Sequence, residues 1–331
     1  MENRQVVLTS RPSGIPQAEN FAIRQGAMPA PASGEILVRN HYLSIEPAMR
    51  GWISDAGNYS DPVPIGGVMR SLAAAQVVDS LHPDYKAGDY VTGWFGWQDY
   101  AAVPADKIVQ RTAADELTQS LGILGLNGVT AYLALTLVGQ PQAGETVLVS
   151  TAAGAVGSAV GQIAKIYGCR TVGIAGGSEK AQRCIQEFGY DAAIDYQGED
   201  VADRVATLCP DGVDVYFDNT AGPISDAVLP HLAMRGRVVV CGTASISRWD
   251  EWPTGPRVER HLLVKRARME GFVIFDHMDR YGAALEQLRT WIAEGRLKWE
   301  EDILEGIETC PDAIAGLYRG ENKGKRLIRL V

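Results

Sequence analysis

The chain has 331 residues, of which 46% are hydrophobic, so it is long enough for two domains with sizeable cores and is not expected to be disordered. Its formal net charge of -9 at pH 7 argues against nucleic acid or an anionic membrane as a partner. The sequence shows neither an N-terminal signal core nor a run of about 18 apolar residues, so a cytoplasmic protein is expected.

Residues 1–120 contain short predicted strands, such as 35–40 and 76–78, separated by turn sequences at 29–31 and 86–89. These turns are rich in proline, glycine and aspartate, which fix or permit the backbone angles that a turn requires. The pattern favours a β-rich domain, either a barrel or a sandwich.

Residues 121–293 alternate between apolar strands and helical stretches, and their last predicted helix runs from Tyr281 to Glu294. This alternation predicts an α/β domain with a doubly wound parallel sheet. Residues 294–331 contain strand-like segments ending at 327–330, which are expected to return to the first domain. The predicted strands of the alternating region are 146–150, 171–175, 192–195, 213–218, 237–241 and 269–274.

The strand predicted at 146–150 leads into a small-residue loop that matches the glycine fingerprint of dinucleotide-binding folds with one change. Ala152 stands in the first glycine place, Gly154 allows the backbone to approach a pyrophosphate, and Gly157 allows the helix to pack on the strand. The following helix, predicted to end at Gly168, directs its N-terminus at the phosphates. The alternative is a tight turn that joins a strand to a helix and binds nothing.

The strand predicted at 171–175 ends in two glycines, at the point where an NAD site carries an acid for the adenosine ribose. Here the tip offers Ser178 and Lys180, whose hydroxyl and ammonium groups suit a ribose 2′-phosphate, so NADPH is predicted rather than NADH. Glu179 argues against this assignment unless its side chain faces solvent. Alternatively, Lys180 is a solvated lysine in the first helical turn.

The five cysteines are widely spaced and form no Cys-x-x-Cys pair, and the five histidines are equally scattered. No histidine shares a helical face with an obvious second metal ligand. Neither a structural zinc cluster nor a catalytic metal is therefore expected.

Six stretches carry a resemblance that spans nearly the whole chain: 42–47, 49–51, 93–100, 152–158, 216–219 and 320–325. On these stretches the chain resembles the zinc-independent medium-chain dehydrogenases/reductases, in the branch of prostaglandin and alkenal reductases and bacterial curcumin reductases. The resemblance implies a GroES-like (chaperonin-10-like) first domain, a Rossmann second domain and NADPH as the cofactor. It also implies a homodimer and reduction of the carbon-carbon double bond of an enone, alkenal or curcumin-like substrate.

The resemblance implies a set of cofactor contacts. Asn219 has a local rationale as well, because ligands of doubly wound sheets bind at the carboxyl ends of strands. Some of these residues have a structural alternative: Asn219 as a turn residue, Tyr196 as a sheet-edge aromatic, Asn322 as a loop residue that caps its neighbours, and Thr130 as a helix-packing residue. The full set is Thr130, Ala153, Gly154, Ala155, Val156, Gly157, Lys180, Tyr196, Asn219, Cys241, Gly242, Thr243, Ser247, Phe272, Val273, Ile274 and Asn322.

The resemblance also implies residues at the substrate. Tyr59 matches a pocket tyrosine of the family and is the leading candidate for the proton donor, although it could instead be an exposed loop aromatic. Arg50 either contacts the substrate or forms a structural salt bridge. Ser247 and Ala48 stand where relatives have tyrosines, which predicts a pocket for a bulkier or more polar enone. The proton could also come from solvent, the nicotinamide ribose or Ser247. Three tryptophans either line the entrance or pack in the core: Trp52, Trp94 and Trp97.

Two other functions remain compatible with the sequence. An NADPH quinone oxidoreductase on the same scaffold would transfer electrons to a ring instead of saturating an alkene. A non-catalytic NADPH-binding protein is the other possibility, because two family tyrosines are missing. Product analysis with an enone and a quinone would distinguish these functions.

Overall fold

The computed structural model describes residues 2–56, 58–246 and 253–331. They form two compact units that share no sheet: the first contains a large and a two-stranded sheet, and the second contains a six-stranded sheet. The first unit comprises residues 2–56, 58–122 and 301–331, and the second comprises 123–246 and 253–300. No helix in the described ranges combines the length and hydropathy needed to span a bilayer.

The strands, in chain order, are β1 (Glu2–Leu8), β2 (Phe21–Ala27), β3 (Glu35–Ser44), β4 (Ala73–Ser80), β5 (Tyr90–Gly93), β6 (Tyr100–Pro104), β7 (Ile108–Arg111), β8 (Thr146–Ser150), β9 (Arg170–Ala175), β10 (Ala192–Asp195), β11 (Val213–Asp218), β12 (Leu232–Val240), β13 (Arg268–Gly271), β14 (Glu301–Glu305) and β15 (Lys325–Arg329). The α-helices are α1 (Met49–Trp52), α2 (Leu126–Ala134), α3 (Ala155–Ile166), α4 (Ser178–Gln186), α5 (Val201–Leu208), α6 (Gly222–Val228), α7 (Glu259–Lys265), α8 (Tyr281–Ala293) and α9 (Cys310–Tyr318).

The first unit is built on a largely antiparallel sheet in the order β14-β15-β3-β4-β5-β7, with β6 also paired to β3. The long strand β3 is its centre, and the C-terminal strand β15 pairs with it antiparallel, Leu327 opposite Ser44. A separate two-stranded sheet contains β1 and β2. The predicted β-rich domain is confirmed.

The core of the first unit collects inward-facing side chains from several of these strands and from α1 and α9. Trp97 is fully buried and Trp52 is 2% exposed, so both belong to this core. Trp94 packs edge-on against Trp52, with 5.5 Å between ring centroids. Burial of large aromatic surface is favourable, and core packing therefore explains these three side chains.

A buried ion pair links strand β15 to the end of β3. The Lys325 ammonium donates hydrogen bonds to Ser44 Oγ at 2.7 Å, the Ile45 carbonyl at 3.1 Å and Glu46 Oε1 at 3.2 Å. Burial lowers the pKa of Lys325, and the Glu46 carboxylate opposes that shift. Loss of one partner from such a pair leaves an uncompensated buried charge, so the two segments depend on each other.

The second unit is a six-stranded parallel sheet in the order β10-β9-β8-β11-β12-β13. This is the Rossmann order, in which the direction of strand addition reverses beside the first strand, here β8. Helix α3 follows β8 and ends at Ile166, and Gly168 takes a φ of +80°, as expected of a glycine that terminates a helix. The predicted doubly wound sheet is confirmed.

Three predicted segments differ from the structure. The strand predicted at 269–274 ends at Gly271, because Phe272 and Ile274 turn inward and a 3-10 helix starts at Ile274. The strand predicted at 237–241 begins earlier, at Leu232, and ends before Cys241. The range 294–331 contains helix α9 between its two strands, with a proline in the first turn, where a helix tolerates it.

Candidate active site

The loop after β8 is shaped by close backbone contacts. A Cβ added to Gly157 would lie 2.2 Å from the Thr151 carbonyl oxygen, and one added to Gly154 would lie 2.9 Å from Thr151 Cγ2. Side chains at these two positions would therefore separate the loop from helix α3. The backbone of the loop is left accessible to a ligand on its outer side.

Alanine in the first glycine place is explained by the neighbouring strand. Ala152 is fully buried, and a Cβ added to Gly173 on β9 would lie 2.7 Å from Ala152 Cβ. Gly173 thus provides the space that the alanine methyl group needs. The change from the usual fingerprint preserves the turn.

Helix α3 begins at Ala155, directly after the extended residue Gly154. The first-turn N–H groups of a helix have no acceptor within the helix, so those of Ala155, Val156 and Gly157 suit an anion. The Tyr190 hydroxyl donates to the Gly157 carbonyl at 2.6 Å and fixes this turn from behind. Burial raises the pKa of the Tyr190 phenol, so it stays a neutral donor.

The tip after β9 combines a hydroxyl, an ammonium group and an aromatic ring. Ser178 and Lys180 lie in the first turn of α4, where Ser178 is exposed and Lys180 is half-buried. The Tyr196 ring lies close to the tip, because a Cβ added to Gly176 would be 2.9 Å from the Tyr196 hydroxyl oxygen. Glu179 is exposed to solvent, as the NADPH assignment requires.

The Asp195 carboxylate lies beside this tip and accepts hydrogen bonds from backbone N–H groups. Asp195 Oδ1 accepts hydrogen bonds from the Gly177 N–H at 2.7 Å and the Gln197 N–H at 3.0 Å. These bonds hold Gly177 in its φ of +89° and orient Asp195 toward the turn. Asp195 therefore stabilises the backbone conformation of the tip.

Asn219 joins the carboxyl ends of two neighbouring strands. Its Nδ2 donates to the Ser150 carbonyl at 2.7 Å, and its backbone N–H donates to Ser150 Oγ at 2.8 Å. The turn it belongs to is organised by the buried Asp218 carboxylate, which accepts the N–H groups of Thr220 and Ala221 at 2.9 Å each. Asn219 thus has a structural role at the edge where ligands bind.

The segment after β12 packs on the same turn. A Cβ added to Gly242 would lie 2.8 Å from the Asn219 carbonyl oxygen, so glycine is required there. Burial, reinforced by the Asp218 carboxylate, raises the pKa of the Cys241 thiol to about 12, which makes the thiol inert at neutral pH. Thr243 is exposed, and Ser247 lies outside the described residues.

The other predicted cofactor residues differ in their surroundings. Phe272 and Ile274 are buried, Val273 is half-buried, and the Phe272 N–H donates to the Val240 carbonyl at 3.0 Å. Thr130 is half-buried on α2, which packs against α3. The structure thus gathers the predicted residues that follow β8, β9, β10, β11, β12 and β13 at the carboxyl edge of one sheet.

The remaining predicted residues belong to the first unit. Tyr59 is 54% exposed, and Arg50 is 5% exposed on α1 with its guanidinium 5.1 Å from the centre of the Tyr318 ring. Asn322 donates from Nδ2 to the Gly324 carbonyl at 2.8 Å, so it stabilises its own loop.

Four residues that shape the site were not predicted for it: Ser150, Gly173, Asp195 and Asp218. Asp195 and Asp218 end apolar strands, a pattern that could have indicated roles at the carboxyl edge. Ser150 and Gly173 carry no such local signal, because their importance arises from partners distant in sequence.

Comparison with known proteins identifies the family. A model described as the N-terminal domain of oxidoreductase matches residues 4–110, and one described as zinc-binding dehydrogenase matches residues 155–290. The chain is 42% identical to the NADPH-dependent curcumin reductase of Escherichia coli (strain K12), over 99% of this chain and 97% of that protein. The chain belongs to the medium-chain dehydrogenase/reductase family.

Further similarities place the chain within one branch of this family, as the sequence resemblance predicts. It is 36% identical to the 2-alkenal reductase (NADP+-dependent) of Nicotiana tabacum, over 99% of this chain and 97% of that protein. The crystal structure of CurA in complex with NADPH from Vibrio vulnificus matches with a TM-score of 0.94 and 42% identity, covering 99% of each chain. Among the described residues, no group of His, Cys, Asp and Glu side chains could hold a metal ion.

The replacement Gly157→Ala tests the loop geometry. We expect it to destabilise the protein by about 1–3 kcal/mol and to weaken NADPH binding, because the new methyl group collides with the Thr151 carbonyl. Thermal unfolding and calorimetry measure the two effects. The matched control is Gly282→Ala on α8, where a Cβ meets no atom within 4 Å and alanine should stabilise the helix by about 0.5–1 kcal/mol. Equal effects of both replacements would contradict this account.

Proposed function

We propose that this chain is an NADPH-dependent reductase that saturates the carbon-carbon double bond of α,β-unsaturated ketones and aldehydes, including enone, alkenal and curcumin-like substrates. The observation that carries the proposal is the tip after β9, where Ser178 and Lys180 lie in the first turn of α4, the Tyr196 hydroxyl lies close to Gly176, and the nearby acid is bound by backbone N–H groups. Such a tip suits a phosphorylated ribose. Relatives 36–42% identical over nearly the whole chain are named as reductases of this class.

The residues present fit NADPH. The glycines of the loop after β8 allow the close packing that places the start of α3 beside the end of the strand, and the N–H groups of Ala155, Val156 and Gly157 would bind the charge of the pyrophosphate. Ser178, Lys180 and Tyr196 would hold the adenosine end. The remaining contacts would come from Thr130, Ala153, Gly154, Asn219, Cys241, Gly242, Thr243, Ser247, Phe272, Val273, Ile274 and Asn322. When bound, NADPH supplies a hydride to the β carbon of the conjugated carbonyl.

The protein must then stabilise negative charge on the substrate oxygen and deliver one proton. The Tyr59 hydroxyl is our proposed donor, and the Arg50 guanidinium would stabilise the oxygen electrostatically. Ser247 is the other side chain that could pass a proton. Ala48 is half-buried and carries only a methyl group, which supports a pocket wide enough for a bulkier or more polar enone.

We also propose a homodimer in the cytoplasm. Strand β13 is the edge strand of the Rossmann sheet, and all four of its residues are exposed. Helix α7 has no buried residue, and its Leu263 side chain is 78% exposed. An exposed strand edge beside apolar side chains favours pairing with a second copy. All five cysteines are free thiols, in agreement with a reducing compartment.

A panel of conjugated ketones, aldehydes and quinones tests the function. We expect NADPH oxidation with enones and alkenals, and a product two hydrogens heavier by mass spectrometry, because the alkene is saturated. Dominant turnover of quinones would favour a quinone reductase. Tight NADPH binding without any turnover would favour a non-catalytic protein.

The same assay tests the proton donor. We expect Tyr59→Phe to lower kcat by about 100-fold, because general acid catalysis of this kind contributes at least that much. An unchanged kcat would indicate that Ser247 or solvent donates the proton.

Replacement of Lys180 by alanine tests the cofactor preference. We expect the Kd for NADPH to rise about tenfold to 100-fold while the Kd for NADH stays constant, because one charge-assisted contact to the 2′-phosphate is lost. Calorimetry with both cofactors measures this. Lys165→Ala is the matched control, since Lys165 pairs with Asp191 at 2.7 Å on the surface of the same unit. A variant that retains full preference for NADPH would contradict the assignment.

Light scattering after size-exclusion chromatography tests the dimer. We expect twice the 35.7 kDa chain mass for the natural protein and the single-chain mass for Met269→Lys, because a charge on β13 opposes strand pairing. Leu81→Glu, at a site 55% exposed in the first unit, should leave the dimer intact. A natural protein of single-chain mass would exclude the proposed assembly.

A further inference from the structure

Tyr318 connects the end of α9 to the turn between β3 and α1. Its hydroxyl donates to the Pro47 carbonyl at 3.2 Å, and its ring lies beneath the Arg50 guanidinium, 5.1 Å from the charged carbon. The side chain thus contacts Pro47, which directly precedes Ala48, and Arg50, which lies two residues after it. Its position brings an aromatic ring to a segment that lacks one of its own.

The contact between Arg50 and Tyr318 is suited to a buried cation. Arg50 is only 5% exposed, and the face of an aromatic ring attracts a cation most strongly where water is excluded. Burial raises the pKa of the Tyr318 phenol, although the Arg50 charge opposes this shift. The hydroxyl is therefore neutral and donates at physiological pH.

Ala48 and Tyr318 pack against the same core and are both half-buried, so each retains an outward face. At position 48 that face is a single methyl group. Because Arg50 is buried, the half-buried Tyr318 ring is the planar group that has an accessible surface, and aromatic rings stack on aromatic ligands. A short alkenal has too few atoms to use such a surface, whereas an enone bearing aryl groups can stack on it.

We infer that Tyr318, carrying Arg50 on its ring, is the specificity-determining wall of the substrate site and selects aryl enones over short alkenals. The inference rests on the proposed function. It assigns to α9 the aromatic surface that Ala48 does not provide.

Steady-state kinetics with curcumin and but-2-enal test the inference. We expect Tyr318→Leu to lower the ratio of kcat/KM for curcumin to kcat/KM for but-2-enal about tenfold, mainly through KM for curcumin, because the surface on which aryl groups stack is lost. Tyr318→Phe keeps the ring and should keep the selectivity. The matched control is Tyr85→Leu, since Tyr85 is also half-buried against this core with Arg111 over its ring at 4.3 Å.

Binding provides a readout independent of turnover. With NADP+ present, the Kd for the saturated product of curcumin, measured by calorimetry, should rise about tenfold in Tyr318→Leu and stay constant in Tyr85→Leu. Ala48→Tyr keeps Tyr318 but fills the space beside its ring, so it should exclude bulky aryl groups and also reduce the preference for curcumin, whether or not Tyr318→Leu folds.

The failures of the two proposals are distinguishable. If the natural protein reduces enones but Tyr318→Leu or Ala48→Tyr retains its selectivity and product affinity, the inference about Tyr318 is wrong and the function stands. If the natural protein reduces no conjugated carbonyl, the proposed function is wrong and the inference falls with it.

Discussion

The contact between the Thr151 carbonyl and the backbone of Gly157 is the constraint on which the second unit depends. No side chain fits between these two groups, so helix α3 starts directly beside the end of β8. The same helix presents Gly161 to the Tyr190 ring, which in turn holds the Gly157 carbonyl. A chain of close contacts therefore aims the helix N-terminus at the carboxyl edge of the sheet, where its partial positive charge can act on a ligand.

The rest of that edge is stabilised by groups that also suit a ligand. Asn219 holds Ser150 through its amide nitrogen, Gly242 packs on the Asn219 carbonyl, and Asp218 fixes the turn between them. Such sharing of hydrogen bonds makes the edge rigid before any cofactor arrives, which lowers the entropy lost on binding. Structural and binding roles are therefore not alternatives at Asn219, because one side chain can fill both.

Local sequence was sufficient for several strands of the second unit and insufficient for the contacts between residues distant in sequence. The predicted strands 146–150 and 213–218 coincide with β8 and β11, because continuous apolar runs ended by turn residues are typical of buried parallel strands. The apolar residues Phe272–Ile274 extended the predicted strand beyond the end of β13 at Gly271. Buried residues in a strand and buried residues in a turn give the same apolar pattern in the sequence. The ion pair of Lys325 with Glu46 could not be predicted, as it depends on contacts 279 residues apart.

Strand β15 also makes the first sheet depend on contacts between residues that are far apart in sequence. The sheet of the second unit uses residues 146–271, whereas β3 in the first unit is paired with Leu327–Arg329. Until β15 is in place, the Glu46 carboxylate lacks its Lys325 partner and β3 lacks one neighbouring strand. Contacts between residues so distant form slowly, because the entropy cost of closing the intervening loop precedes the gain from pairing.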